Sequence, residues 1–154
     1  MKELNGIGVA LVTPFQENGQ IDFDGLEKLI KHVKDDLHFL VVMGTTGEAA
    51  TLSEQEKLSV LDFVLEINAG QIPVVYGMGG NNTAALANQM RSFDREGVSA
   101  FLTASPSYNK PTQEGIYRHY VALSESSPLP IILYNVPSRT GSNVLPDTVV
   151  RIAR

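Results

Sequence analysis

The chain has no cysteine, which excludes a disulfide framework and a thiolate zinc site. It has no surplus of positive charge. Twelve Lys+Arg stand against 17 Asp+Glu, for a net charge of −5 and a pI near 5.1. That balance argues against a nucleic-acid or anionic-membrane surface. No apolar run approaches the roughly 18 residues of a membrane span. The opening stretch, Met1-Lys2-Glu3-Leu4-Asn5-Gly6, lacks the apolar core of a secretory signal. The histidines His32, His38 and His119 share no metal-ligand spacing and read as structural or solvent-facing. The expectation is a cytoplasmic protein with no metal, no cofactor, no nucleic-acid partner and no membrane. What is present is ordinary for a globular chain: 43% apolar and 19% charged residues in 154 positions, enough for one domain with a core.

Short apolar, β-branched runs alternate with longer amphipathic ones. The expected strands are Gly6–Val12, Phe39–Met43, Pro73–Tyr76, Ser99–Thr103 and Pro130–Tyr134. Between them lie helical patterns. Phe23–Val33 has Asp22 as N-cap and Leu26, Leu29, Ile30 and Val33 on one face. Ser53-Glu54-Gln55-Glu56 is a capping box, its serine and glutamate three apart, ahead of Leu58, Leu61, Val64 and Leu65. Asn81-Asn82-Thr83 opens a helix that Gly97 is expected to stop. Thr112–Ser126 is helical, and Pro146-Asp147 opens a last helix still in progress at Arg154. Asp35-Asp36 and Asp94-Arg95-Glu96 read as solvated helix ends. Continuous apolar strands alternating with helices specify a parallel α/β sheet. Five such units make a complete flavodoxin-like domain or five-eighths of a (β/α)8 barrel. Length alone favours the former.

In either architecture chemistry gathers at the C-terminal ends of the strands. After strand two comes Gly44-Thr45-Thr46-Gly47-Glu48. Its glycines let the backbone approach a ligand, and its N–H groups and hydroxyls suit a carboxylate. A plain strand-to-helix turn explains it about as well. Glu48 is either a base or, more commonly, a helix-start cap. Tyr134 ends strand five, with Arg139 five residues on: a proton shuttle and a carboxylate fork, or a rim tyrosine and a solvated arginine. Tyr108 lies in Ser105-Pro106-Ser107-Tyr108-Asn109-Lys110-Pro111, either presented rigidly by its prolines or covering core.

Together these segments resemble a family. Gly8-Val9-Ala10-Leu11-Val12-Thr13-Pro14-Phe15, Gly44-Thr45-Thr46-Gly47-Glu48 and Tyr134-Asn135-Val136-Pro137 are similar to the pyruvate-dependent class I aldolases. That family includes N-acetylneuraminate lyase and dihydrodipicolinate synthase. Ser138-Arg139-Thr140-Gly141 and Ser105–Pro111 resemble the synthase branch. The resemblance covers the whole chain in order and reverses the length argument. It implies a (β/α)8 TIM-barrel domain of which 1–154 is the N-terminal part, about five βα units, ending within helix five.

The resemblance also implies roles. Gly44, Thr45 and Thr46 bind the carboxylate of pyruvate, and Thr46 joins a hydroxyl relay. Tyr134 is the proton shuttle, and Tyr108 completes the relay from a neighbouring subunit of a homo-oligomer. Arg139 holds the carboxylate of aspartate semialdehyde. The family's nucleophile is a Schiff-base lysine on strand six, expected a few residues beyond Arg154. An amine that attacks a ketone at neutral pH must be desolvated or pushed by neighbours. Lys2, Lys28, Lys31, Lys34, Lys57 and Lys110 sit at the terminus, on polar helix faces or in a loop, so none is expected to serve, and 1–154 alone is expected to be inactive.

Departures are few. Synthases commonly place an aromatic before the relay tyrosine, where this chain has Ser107. Feedback-inhibited members carry a histidine near the start of helix two and a glutamate in the first turn of helix three. Here those stretches read Ser53-Glu54-Gln55-Glu56-Lys57 and Asn81-Asn82-Thr83-Ala84-Ala85, which counts against inhibition by lysine. Two other readings stand beside the synthase. One is a sister pyruvate aldolase, because strands six to eight help choose the aldehyde. The other is a non-catalytic half-barrel whose open edge strands recruit a partner. A flavodoxin-like domain ranks last, since Thr13-Pro14-Phe15-Gln16 lacks a Ser/Thr-rich flavin loop.

Overall fold

A computed structural model describes residues 4–154. The reading of the opening stretch at Met1, Lys2 and Glu3, and of Lys2 as a non-nucleophile, lies outside the described residues. Five strands form one sheet: β1 (Gly8–Ala10), β2 (Phe39–Val42), β3 (Val74–Gly77), β4 (Val98–Ala104) and β5 (Ile131–Tyr134). Their order is β1-β2-β3-β4-β5. The β1–β2, β2–β3 and β4–β5 ladders are parallel. This order decides between the two architectures. A flavodoxin-like sheet reverses direction and runs 2-1-3-4-5, whereas a sheet that adds each new strand beside the last winds as a barrel does.

The helices are α1 (Phe23–Val33), α2 (Glu54–Asn68), α3 (Thr83–Arg91), α4 (Gln113–Ser126), the four-residue α5 (Pro137–Thr140) and α6 (Pro146–Ile152). The first four begin on side-chain caps. Asp22 accepts from the Gly25 N–H, Ser53 and Glu56 form the reciprocal capping box, Asn82 accepts from Ala85 and Thr112 from Gly115. Each cap satisfies an N–H with no intrahelical partner.

Three expectations are corrected. β1 is shorter than Gly6–Val12, because Gly6 lies at φ +99°, outside strand geometry. The third helix stops at Arg91, not at Gly97. Ser92 turns its hydroxyl onto the Asn88 and Gln89 carbonyls, which closes the helix early. Gly97, at φ +92°, turns the chain into β4 instead. Arg95 is not simply solvated, since its Nε donates to Asp62 Oδ1 at 3.2 Å.

The chain divides into two compact units. One is Met1–Gly77 with Arg95–Ala100, the other Met78–Asp94 with Phe101–Arg154. The first is centred on Leu26, Ile30, Leu40, Leu61, Val64 and Val74, all fully buried. β3 is buried on both faces, as a parallel strand between layers must be. In the second unit Ile116, Tyr120 and Val144 form a cluster against Ile131, Leu133 and Ile152, and Phe93 meets Phe101 edge-on at 4.9 Å. No described helix is long and apolar enough to cross a membrane.

Candidate active site

In the first unit the chain leaves β2 through a strained turn. Met43 sits at φ 59° and Glu48 at φ 54°, a left-handed conformation uncommon outside glycine. Between them Thr45–Gly47 forms a 3₁₀ turn in which Gly47 donates to the Gly44 carbonyl at 3.0 Å. Gly44 and Gly47 are buried, while Thr45 and Thr46 are exposed. The loop thus holds its glycines inward and turns its two hydroxyl residues out. Glu48 does not cap a helix with its carboxylate. Its carbonyl accepts from the Thr51 N–H and Oγ1, both at 2.9 Å.

Two residues outside the loop, neither given a role by the sequence, fix it. Buried Thr13 donates from Oγ1 to the Gly47 carbonyl at 2.7 Å. Gly77 lies so close that a Cβ there would stand 2.1 Å from the Met43 carbonyl oxygen. Both act across tens of residues, so no local pattern reveals them. Only a glycine at a strand's end hints at close approach.

In the second unit Tyr134 closes β5, partly buried, and Arg139 lies exposed on α5. No helix is expected from the sequence at the Arg139 segment, yet it forms α5 (Pro137–Thr140). Pro137 at the first helical position is the signal for its short helix. Tyr108 is 90% exposed and held at φ 70°, so it does not cover core. Its N–H donates to the Thr140 carbonyl at 3.2 Å, which ties the Tyr108 loop to α5. Ser107 donates both its N–H and its hydroxyl to Asn81 Oδ1. Ser107 therefore helps anchor the loop.

The other tyrosines are occupied. Burial pushes Tyr76 and Tyr120 up to about 12, and the Tyr120 hydroxyl donates to the Thr103 carbonyl at 2.8 Å. Tyr117 lies under the Arg151 guanidinium, 4.1 Å from its ring centre. His119 is buried, with Nδ1 2.8 Å from Thr83 Oγ1, and burial lowers its pKa. His38 Nδ1 accepts from the Ile7 N–H at 3.0 Å.

The described lysines suit surface roles. Lys31 pairs with Glu27, Lys57 with Glu54, and Lys34 donates to Gln71. Lys28 and Lys110 are exposed. The stem of Lys110 lies where a Cβ on Gly141 would touch it, 3.3 Å from Cε. Among the described residues no group of three His, Cys, Asp or Glu is arranged to hold a metal.

Comparison with known proteins agrees in one direction. The sequence model of the Dihydrodipicolinate synthetase family matches residues 3–154. The 4-hydroxy-tetrahydrodipicolinate synthase of Flavobacterium psychrophilum is 48% identical, over 100% of this chain and 53% of its own. That of Porphyromonas gingivalis is 48% identical, over 98% of this chain and 51% of its own. A crystal structure of dihydrodipicolinate synthase from Bacillus anthracis superposes with a TM-score of 0.93 at 42% identity, across 100% of this chain and 53% of its own. A pyruvate complex of the Acinetobacter baumannii enzyme gives 0.93 at 42% identity, across 99% of this chain and 53% of its own. The chain spans about half the length of the curated relatives it matches.

Proposed function

The chain belongs to the dihydrodipicolinate synthetase family, and on that footing we propose that it is the N-terminal part of a single (β/α)8 domain with 4-hydroxy-tetrahydrodipicolinate synthase activity. The reaction is a lyase-class condensation of pyruvate with aspartate semialdehyde, in the cytoplasmic synthesis of lysine and diaminopimelate. The supporting observation is the loop after β2, which presents Thr45 and Thr46 outward between buried Gly44 and Gly47.

In this proposal Gly44, Thr45 and Thr46 receive the carboxylate of pyruvate through N–H groups and hydroxyls. A lysine outside residues 1–154 attacks the ketone carbon, loses water and forms the Schiff base. Tyr134 moves the proton at the reacting centre, with Thr46 and Tyr108 as the other members of the hydroxyl relay. Arg139 takes the carboxylate of the aldehyde as a fork. Tyr108 serves a neighbouring subunit of a homo-oligomer, a role supported by its outward presentation on a loop held at Thr140.

Borohydride reduction with pyruvate tests the assignment of the nucleophile. Residues 1–154 are expected to gain no covalent adduct by mass spectrometry, whereas a longer chain carrying the strand-six lysine gains one. An adduct on Lys110 would refute the assignment. In the longer chain, Arg139→Ala is expected to lower kcat/KM for the aldehyde on the order of 10²-fold. The pyruvate adduct should form as in the parent, and equal loss in both steps would count against the role of Arg139.

A further inference from the structure

The side chain of Gln113 makes three hydrogen bonds to the segment that follows α5. Its Nε2 donates to the Asn143 carbonyl at 2.7 Å. Its Oε1 accepts from the Leu145 N–H at 3.0 Å and from Thr148 Oγ1 at 2.7 Å. One donor and two acceptor positions are thus satisfied at once, with the amide in a single orientation. A second clasp, from Asn135 just after β5, holds the same segment. Asn135 Oδ1 accepts from the Val144 N–H at 3.1 Å, and its Nδ2 donates to Asn143 Oδ1 at 2.7 Å.

Between these clasps the chain has little freedom. Buried Thr140 donates from Oγ1 to the Ser142 carbonyl at 2.8 Å, and its own carbonyl receives the Tyr108 N–H. Arg139 therefore stands on a short helix whose exit is fixed at Thr140, Asn143, Val144 and Leu145. Four residues cannot hold themselves as an isolated helix, so the placement of the Arg139 backbone depends on those outer contacts. Gln113 lies on α4 and outside every motif that resembles the family.

We propose that Gln113 is a positioning residue for Arg139, and so tunes recognition of the aldehyde substrate's carboxylate without touching it. This inference rests on the proposed synthase activity. A fork that binds a carboxylate through two parallel N–H bonds tolerates little misorientation. Releasing the outer clasp should therefore weaken aldehyde binding and leave the pyruvate half-reaction intact.

The test uses the longer, active chain with Gln113→Met, which keeps length and removes all three bonds. A second variant, Thr148→Val, removes one of them and keeps shape. For Gln113→Met the KM for aspartate semialdehyde should rise about tenfold, and for Thr148→Val about twofold to threefold. In both, pyruvate KM and the borohydride-trapped adduct should match the parent. Unchanged aldehyde KM in folded variants overturns the positioning role, as does a parallel rise for both substrates. Failure of both variants to fold would assign Gln113 to stability alone and also overturn it. A parent enzyme that does not condense the two substrates overturns the activity itself, and the inference falls with it.

Discussion

Gly77→Ala is expected to destabilise the protein by about 3 kcal/mol and to depress formation of the pyruvate adduct in the longer chain on the order of 10²-fold. The added Cβ would meet the Met43 carbonyl oxygen at 2.1 Å, the Met43 carbonyl carbon at 2.5 Å and the Gly44 nitrogen at 2.8 Å. All three are backbone atoms, so no side-chain rotation relieves the clash. The chain must move at Met43, which already lies at φ 59°, and it carries Thr45 and Thr46 with it. Gly80→Ala is the control, since a Cβ there meets nothing within 4 Å. Thermal denaturation of both variants, with adduct mass for the longer chain, separates the two components. A stable Gly77→Ala protein with normal adduct formation would show that the loop has more slack than its geometry allows.

The second large effect is expected at Tyr134. In the longer chain Tyr134→Phe should lower kcat by roughly 10²–10⁴, the range for removing a positioned proton-transfer group. Its hydroxyl has no hydrogen-bond partner among the described residues, so its removal strands no buried group. Tyr120→Phe is the informative contrast. That hydroxyl donates to the Thr103 carbonyl from a buried position, and its loss should cost about 1 kcal/mol of stability with kcat unchanged. Steady-state rates and melting temperatures for the pair should therefore move in opposite columns. Equal kcat for Tyr134→Phe and the parent would remove Tyr134 from the mechanism.

Much of the framework was legible because its causes are local. Asp22, Ser53, Asn82 and Thr112 announce their helices through bonds to the N–H three residues on or within the same turn. The strands read from runs such as Phe39–Val42 and Ile131–Tyr134. What stayed hidden is set at long range. Thr13 meets Gly47, Gly77 meets Met43, and Gln113 meets the Asn143–Thr148 segment, and no periodicity encodes such pairings. The end of α3 departs from the sequence pattern for a different reason. Gly97 is a real left-handed turn, but Ser92 had already closed the helix.

The order of the sheet has a consequence for how the chain is made. Gly8 pairs with Phe39, Leu40 with Val74 and Phe101 with Ile131, so partners lie about 30 residues apart, one βα unit. In these three ladders no strand waits for a distant segment before it finds its neighbour. Closing a loop of that length has a modest entropic penalty, and synthesis at roughly 5–20 residues per second delivers each new strand within seconds of the last. A ribosome-bound chain can therefore zip these ladders in the order of translation. Pulse proteolysis of stalled nascent chains should find protection of the β1–β2 ladder once α2 has emerged, well before Tyr134 is made.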